Sequence, residues 1–341
     1  MYYNHYSRRD LPKSKKRNKK YTTANEPYIG YQNNDEIITQ YPDMEQAYDN
    51  FSKTYNIPKK NFILTTGTDA SYRIALSSIR HILQGETTTL IYTTPNWGLI
   101  PIIAEMEGFN PIGMETEYGR YEPLGHDCFH VPDYYEKIKS YPGSVIYVNS
   151  AQNNYFNIYP TVFDIASDHN GVTDSNIWND TTYIKIIDEV YEPVGLYSYS
   201  QENKFEDPKD KKEDKIIIGS YSKVLGCGIR LGYILFDDAW TDIMYHNRET
   251  YLSPLACMHT QVNMHDFENQ RVQRTADDIA DFLLYKGSDI LTEQTYNFTT
   301  VFADKYDKWD HKDMDRVDKE FTVSGIRFYR LGMPKQDLTN K

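Results

Sequence analysis

The sequence predicts an α/β fold in which helices flank a mostly parallel central sheet, followed by a smaller α+β domain. Two observations carry this prediction. From Asn61 to about residue 236, short runs rich in Ile, Val and Tyr alternate with helical stretches, which is typical of parallel strands joined by helices. After about residue 245, long helical patterns give way to short strands and turns, which indicates a second and smaller unit.

The individual elements follow from the spacing of apolar residues. A helix is predicted from Thr68 or Asp69, because Ile74, Ile79 and Ile82 lie on one helical face. A second helix, "WGLIPIIAEMEG", ends at Gly108. The predicted strands are "NFILTT", "TTLIYTT", "SVIYVN" (144–149), "YIKIIDE" (183–189), "KIIIGS" (215–220) and "GYILF" (232–236).

The length of 341 residues favours one large and one small domain. We expect a basic arm at 1–22, an N-terminal segment at 23–50 that packs on the small domain or on a partner subunit, a large domain at 51–245 and a small domain at 246–341.

Composition argues for a cytoplasmic protein. No apolar stretch approaches the ~18 residues of a membrane span, and the N-terminus lacks the apolar core of a signal peptide. The three cysteines are widely spaced, which argues against a disulfide framework and against structural zinc. We therefore expect a soluble cytoplasmic protein without a bound metal.

The net charge of −12 is unevenly distributed. Residues 8–20 hold eight Lys or Arg and one Asp, a local charge of +7, so the rest of the chain carries −19. A basic arm could bind nucleic acid or direct localisation. A solvated leader, or one that folds against the acidic body, is the more common case, and nucleic acid is not expected as a partner.

The segment "GSYSKVLGCGIRLGY" (219–233) places Lys223 among small residues just after an apolar strand, with Arg230 seven positions later. A lysine whose pKa is depressed by burial or by a nearby cation can form an imine with a carbonyl compound. Serine and lysine are common residues, so the segment alone is a weak indication.

An aspartate and a helix start follow two other strand ends. In "IIDEVYEP" (186–193), Asp188 ends a buried strand and needs a cationic partner, such as a protonated pyridine nitrogen, unless it only caps the next turn. Tyr191 would then reach a ring hydroxyl. In "TTGTDAS" (65–71), a glycine before a helix start exposes N–H groups that bind phosphate, although Asp69 could be only an N-cap.

Two further turns bring side chains to the same edge of the predicted sheet. "TTPNWGLI" (93–100) presents Trp97, which either stacks on a planar cofactor or belongs to the core. In "YVNSAQNNYFNIYP" (147–160), Gln152, Asn153 or Asn154 either donates to a ring oxygen or only shapes the turn. Open α/β sheets bind ligands at the carboxyl ends of their strands, so these residues and Lys223 are predicted to share one site.

Taken in order, these motifs resemble the fold-type I pyridoxal-phosphate-dependent aminotransferases of class I/II. The segment "ANEPYIGY" (24–31) with "YPD" (41–43) is most similar to the histidinol-phosphate aminotransferase branch. The resemblance extends from about Ala24 to Leu235 and returns near "GIRFYRLG" (325–332). It implies that residues 51–245 form the cofactor-binding large domain of that fold and that the cofactor is pyridoxal 5′-phosphate.

The resemblance also implies a role for each matching residue. Lys223 would form the Schiff base with the cofactor and then move a proton between the substrate Cα and the cofactor. Asp188 would keep the pyridine nitrogen protonated, while Tyr191 and Asn153 would bind the ring oxygen. The other implied residues are Trp97 on the ring; Gly67, Thr68, Asp69, Ser220, Ser222 and Arg230 at the phosphate; Tyr41 at the phosphate of a neighbouring subunit; Arg327 at the substrate carboxylate; and Arg330 and Tyr28 as further substrate-binding candidates.

The chain departs from the family pattern in three places. The family's Asn-Pro-Thr-Gly turn is replaced by "NNYF" (153–156), which leaves the pairing of Asn153 uncertain by one residue. Arg230 follows Lys223 by seven positions, one fewer than in the histidinol-phosphate branch. Only 118 residues follow Lys223, a short small domain for this family.

Three functions fit these observations. The expected one is transfer of an amino group between an amino acid, or a histidinol-phosphate-like amine, and a 2-oxo acid, by a homodimer. The alternatives are a decarboxylase of the threonine-phosphate type and a non-catalytic protein that uses the same fold for binding. The combination of Lys223, Asp188, Tyr191 and Arg230 favours an enzyme, because a binding protein has little need of all four.

Overall fold

A computed structural model of the chain describes residues 43–84, 88–121, 125–149, 155, 180, 182–191, 215–223, 227–262, 298–303 and 317–332. Statements about structure below refer to these residues. No helix among them is long and apolar enough to cross a membrane.

A seven-stranded sheet forms the centre of the protein. Its spatial order is β1-β9-β8-β7-β6-β2-β3. The neighbours from β8 to β3 are parallel, whereas β9 is antiparallel to both β8 and β1. The strands are β1 Phe62–Thr65, β2 Thr89–Thr94, β3 Asn110–Glu115, β6 Val145–Asn149, β7 Ile184–Asp188, β8 Lys215–Ser220 and β9 Gly232–Phe236. The mostly parallel sheet predicted from the sequence is confirmed.

Helices cover both faces of this sheet. They are α1 Met44–Tyr55, α2 Thr68–Ile82, α3 Leu99–Met106, α4 Tyr134–Lys139, α5 Thr241–Asn247 and α6 Pro254–His259. The strands in the middle of the sheet are buried on both faces, whereas most of the edge strand β3 is exposed or partly buried, and alternate residues of a strand contact opposite layers. In β1, for example, Ile63 packs in the layer with α2 and α3, while Phe62 and Leu64 pack in the layer with α1.

Two smaller sheets lie outside the central one. A hairpin joins β4 Glu117–Tyr121 to β5 His126–His130, and a three-stranded sheet has the order β10-β12-β11. The latter contains β10 Phe298–Phe302, β11 Val317–Val323 and β12 Ile326–Gly332. The buried Phe328 of β12 packs against Phe129 and Tyr118 of the hairpin, with ring centroids 5.0 and 5.4 Å apart.

Helix α1 belongs to the packing of the central sheet. It begins after Asp43, whose side chain accepts a hydrogen bond from the Gln46 N–H, a common N-cap. Phe51 is fully buried, with its ring centroid 4.6 Å from that of Phe62 on β1. The domain boundaries expected at 50/51 and at 245/246 therefore fall inside α1 and α5, respectively.

Candidate active site

A cavity of about 140 Å³ lies at the carboxyl ends of the parallel strands. Asn149 ends β6 and Asp188 ends β7, and the two residues are paired in register. Ser222 and Lys223 directly follow β8, in a short 3₁₀ helix. The lining residues are Thr68, Asn96, Trp97, Asn149, Asp188, Val190, Tyr191, Ser222, Lys223 and Arg230.

Asp188 is the acidic group of this cavity and is only 4% exposed. Its Oδ1 accepts a hydrogen bond of 2.8 Å from the Val190 N–H, and its Oδ2 accepts one from the Tyr147 hydroxyl. Burial raises the pKa of the Asp188 carboxyl to about 6, although both hydrogen bonds and the Lys223 charge act to lower it. The bond from Val190 closes a turn, so Asp188 also has the turn-capping role considered as its alternative.

Lys223 and Tyr191 lie on the same wall. The Lys223 Nζ is 5.6 Å from the centroid of the Tyr191 ring. Tyr191 is buried, at 3% exposure, and Lys223 is half-buried. The cavity therefore combines an amine, a phenol and a buried carboxylate within one small volume.

Another part of the cavity lining contains Arg230 and the backbone N–H groups at the start of helix α2. Helix α2 starts at Thr68, and its N-cap is Gly67, which has no side chain with which to cap the helix. The N-cap alternative for Asp69 is therefore wrong, since Asp69 lies inside the first turn. The Arg230 guanidinium approaches Gly67 so closely that a Cβ there would be 2.8 Å from its Nη2. An anion at this part of the lining would meet both the helix N-terminus and a guanidinium.

Two serines shape the turn between β8 and Lys223. Ser220 ends β8 and is 2% exposed, and its hydroxyl donates to the Ser222 hydroxyl at 2.9 Å. The Ser222 N–H in turn donates to the Ser220 hydroxyl at 3.1 Å. Ser222 lines the cavity, whereas Ser220, Gly67 and Asp69 are not among its lining residues.

The wall near Trp97 contains two asparagines that the sequence motifs did not single out. Trp97 is partly buried, and its ring centroid is 6.4 Å from that of Tyr72, so it both lines the cavity and contacts the core. The buried Asn96 donates from Nδ2 to Oδ1 of Asn149 at 2.7 Å. This bond orients the Asn149 amide. The position of Asn149 at the end of a strand could have indicated it as a candidate hydrogen-bond donor in the site.

Glu249 is another residue that sequence reasoning missed. Its carboxylate accepts from the Thr66 N–H at 2.6 Å and from the Thr66 hydroxyl at 2.7 Å. Thr66 directly precedes Gly67, so Glu249 holds the loop that leads into the N-terminus of α2. No local sequence signal links positions 183 residues apart.

The two candidate arginines of β12 lie away from the cavity lining. Arg327 donates from Nε to Glu320 at 2.9 Å and from Nη2 to the Tyr329 hydroxyl at 3.1 Å, and its side chain is 41% exposed. Arg330 is buried, at 4% exposure.

Three other candidates, Tyr28, Tyr41 and Asn153, lie outside the described residues. Tyr155, two positions after Asn153, contacts the C-terminal sheet. The Lys319 Nζ donates to its hydroxyl at 3.0 Å, and its ring packs edge-on against Phe321. The chain that follows β6 is therefore attached to the small three-stranded sheet.

Comparison with known proteins agrees with this geometry. Residues 3–283 match the family model described as aminotransferase class I and II. No curated protein sequence matches the chain.

Solved structures with the same fold share little sequence with it. N-succinyldiaminopimelate aminotransferase from Mycobacterium tuberculosis aligns with a TM-score of 0.61 at 13% identity, covering 88% of this chain and 83% of that one. YbdL from Escherichia coli, identified as having a methionine aminotransferase function, aligns with a TM-score of 0.59 at 14% identity, covering 88% and 83%. The histidinol-phosphate aminotransferase from Clostridium acetobutylicum aligns with a TM-score of 0.54 at 14% identity, covering 88% and 87%. Because the family model spans most of the chain, this protein belongs to the class I and II aminotransferases, which depend on pyridoxal 5′-phosphate.

Proposed function

We propose that this protein transfers an amino group between an amino acid and a 2-oxo acid, with Lys223 as the residue that binds the cofactor covalently. The observation that carries the proposal is the cavity itself. Its lining contains the Lys223 amine and the buried Asp188 carboxylate, together with Arg230 and the N-terminus of α2.

The described residues fit pyridoxal 5′-phosphate. Its phosphate requires cations and N–H donors, which Arg230, Ser222 and the start of α2 supply. Its protonated pyridine nitrogen is a cationic N–H donor that requires an ionised carboxylate as acceptor, and the buried Asp188 can supply one. When bound, the cofactor supplies an electron sink for the bonds at the substrate Cα.

Each residue is then assigned one role toward the bound cofactor. The Asp188 carboxylate would accept the N–H of the pyridine ring, Tyr191 would donate to the ring oxygen, and Trp97 would contact the ring. The Lys223 amine, half-buried beside them, takes a proton from the substrate Cα and returns it during the exchange. Asn153 remains a proposed second donor to the ring oxygen.

The substrate class rests on the resemblance to the histidinol-phosphate branch. Arg327 and Arg330 lie three positions apart on β12, where side chains alternate between the two faces of the sheet, so they are proposed as alternative ligands of the substrate carboxylate, with Tyr28 as a further contact. A guanidinium binds a carboxylate in a bidentate manner. An amine such as histidinol phosphate, or an amino acid of similar size, is the proposed donor, and the proposed compartment is the cytoplasm.

A homodimer is part of the proposal. Tyr251, Leu255 and Met258 are large apolar residues with exposures of 58%, 40% and 44%, and Leu255 and Met258 lie one turn apart on α6. Exposed apolar patches of this kind mark interaction surfaces. Between them on α6, the Cys257 Sγ lies 3.9 Å from the Met44 Sδ at the start of α1. Tyr41, three residues before Met44, is proposed to contact the cofactor of a partner subunit on the basis of the family resemblance.

The test is reductive trapping of the cofactor. Wild-type protein is saturated with pyridoxal 5′-phosphate and treated with borohydride. The reduced cofactor is then expected as a covalent label on the peptide that contains Lys223. The Lys223→Ala variant is expected to carry none and to lose turnover by at least about a thousandfold, because both the covalent link and the proton carrier are gone.

Lys137→Ala, which removes an exposed lysine of α4, is the matched control and should label normally. Labelling of another lysine in the wild type would contradict the assignment of Lys223. Release of carbon dioxide from amino donors without consumption of a 2-oxo acid would instead establish decarboxylation.

A further inference from the structure

Tyr147 is a fully buried tyrosine whose hydroxyl donates to the Asp188 carboxylate. It lies on β6, two positions before Asn149, and Asn149 is paired in register with Asp188 on β7. Side chains alternate along a strand, so these three lie on the same face of the sheet. The Tyr147 ring is fixed by an edge-on contact with Tyr72, at a centroid distance of 5.3 Å. A phenylalanine would occupy the same space without the hydroxyl.

The Asp188 carboxylate is held by one donor on each oxygen. The Val190 N–H binds Oδ1 from the same loop, and the Tyr147 hydroxyl binds Oδ2 from the neighbouring strand. Two donors on different elements fix the rotation of the carboxylate. Each carboxylate oxygen can accept more than one hydrogen bond, so Asp188 can still accept from a donor within the cavity that it lines.

We propose that Tyr147 is a positioning residue that keeps Asp188 ionised and oriented toward a cationic donor in the cavity. The identification of that donor as the protonated pyridine nitrogen of the cofactor rests on the proposed function. The contact between Tyr147 and Asp188 lies within the protein and does not depend on the cofactor.

The electrostatics of the pair agree with this geometry. Burial raises the pKa of Asp188 to about 6, and the hydrogen bond from Tyr147 is the largest of the effects that oppose the rise, ahead of the Val190 N–H and the Lys223 charge. Burial also raises the pKa of Tyr147 well above its usual value, so the phenol remains a neutral donor over the whole working range. The other titratable groups that face the pair are Tyr72 and Tyr191.

The direct test is the titration of Asp188 in cofactor-free protein with ¹³C-labelled aspartate, its resonance assigned by its absence in Asp188→Asn. In Tyr147→Phe the ionised form loses a donor, so the pKa of Asp188 is expected to rise by about one unit. The fraction of ionised Asp188 then falls most between pH 6 and 7. Incorporation of 3-fluorotyrosine at position 147 keeps the hydroxyl as a stronger donor and is expected to shift the pKa downward.

Tyr72→Phe is the matched control. It also removes a fully buried hydroxyl, but this one donates to the Ile100 carbonyl at 3.3 Å rather than to Asp188. It should leave the titration of Asp188 unchanged, which separates loss of the specific hydrogen bond from general loosening of the core. An identical Asp188 pKa in wild type and Tyr147→Phe would overturn the inference.

The cofactor provides a second readout. Tyr147→Phe is expected to bind pyridoxal 5′-phosphate more weakly than wild type, and the weakening should be several-fold larger near pH 6.5 than near pH 9, where Asp188 is ionised in both proteins and only its orientation is affected. An equal weakening at both pH values would assign Tyr147 a purely structural role and overturn the inference. If neither protein binds the cofactor, the proposed function fails, while the titration still decides the role of Tyr147.

Discussion

Gly67 meets two requirements at once, one of the backbone and one of space. Its φ of +118° lies in a region that residues with a Cβ rarely adopt. A Cβ at this position would also lie 2.8 Å from the Arg230 Nη2. Arg230 itself has a positive φ of 54°, so the loop before β9 is bent to bring its guanidinium to the start of α2. At the scale of single residues, the proposed phosphate site therefore requires a residue without a Cβ at position 67.

Gly67→Ala is accordingly expected to weaken binding of pyridoxal 5′-phosphate by about tenfold or more, since backbone strain of this kind is on the order of 1–3 kcal/mol and Arg230 must move. Titration of the cofactor-free protein with pyridoxal 5′-phosphate and with inorganic phosphate measures the effect. Gly119→Ala is the control, because a Cβ there would meet open space. Equal affinities in wild type and Gly67→Ala would show that the loop and Arg230 do not form the anion site.

Single residues also show what the sequence could and could not reveal. Asp188, Lys223, Trp97 and Arg230 were predictable because each lies in a short motif next to a strand, and the structure brings all four to one cavity. Tyr147 was not, because a tyrosine within an apolar strand is equally compatible with a plain core position. Its function depends on Asp188, which lies 41 residues away in sequence and only one strand away in space.

At the scale of elements, the pattern of apolar runs identifies strands but does not give their direction. The strands β6 and β8 are fully buried, β7 is buried except at Ile184, and all three were predicted as members of a parallel sheet. The antiparallel direction of β9 follows instead from connection length. Only 11 residues separate Ser220 from Gly232, which is short for a crossover between parallel strands. Attention to that spacing would have predicted the reversal.

The β1–α2 loop depends on a distant segment in the same way. Glu249, just after α5, accepts both hydrogen bonds from Thr66. Glu249→Ala leaves these two donors without that acceptor, so we expect the cofactor-free protein to lose about 1–3 kcal/mol of unfolding free energy. Binding of phosphate and of pyridoxal 5′-phosphate should weaken as well, because the start of α2 is less fixed.

Urea unfolding and cofactor titration measure the two effects of Glu249→Ala. Glu249→Gln keeps one acceptor oxygen and should fall between wild type and the alanine variant. Glu45→Ala is the control, since Glu45 is exposed and pairs with the surface residue Lys59, and it should match wild type. An alanine variant as stable as wild type would show that Glu249 does not support the loop.

At the scale of the whole molecule, the proposed dimer surface lies beside the start of α1, three residues after Tyr41 in the chain. The Met44 and Cys257 side chains join α1 to α6, and α6 carries the exposed Leu255 and Met258. The chain that precedes Met44 contains Tyr41, which the family resemblance places at the phosphate of another subunit. A sequence pattern cannot reveal this surface, because exposure depends on what the rest of the fold covers.

The double variant Leu255→Lys, Met258→Lys is therefore expected to dissociate the dimer without unfolding the subunit. Each large apolar side chain buried at an interface contributes about 1.5–3 kcal/mol, so the loss of two should raise the dimer dissociation constant by at least about a hundredfold. Sedimentation equilibrium measures the dissociation constant directly.

Ile82→Lys, Met106→Lys is the matched control, because these residues are exposed to 47% and 62% and lie on α2 and α3, away from α6. If Tyr41 acts across the interface, the monomeric double variant should also bind pyridoxal 5′-phosphate more weakly, and the control pair should not. A wild-type protein that sediments as a monomer, or a double variant that remains as dimeric as the control, would contradict the assignment of this surface.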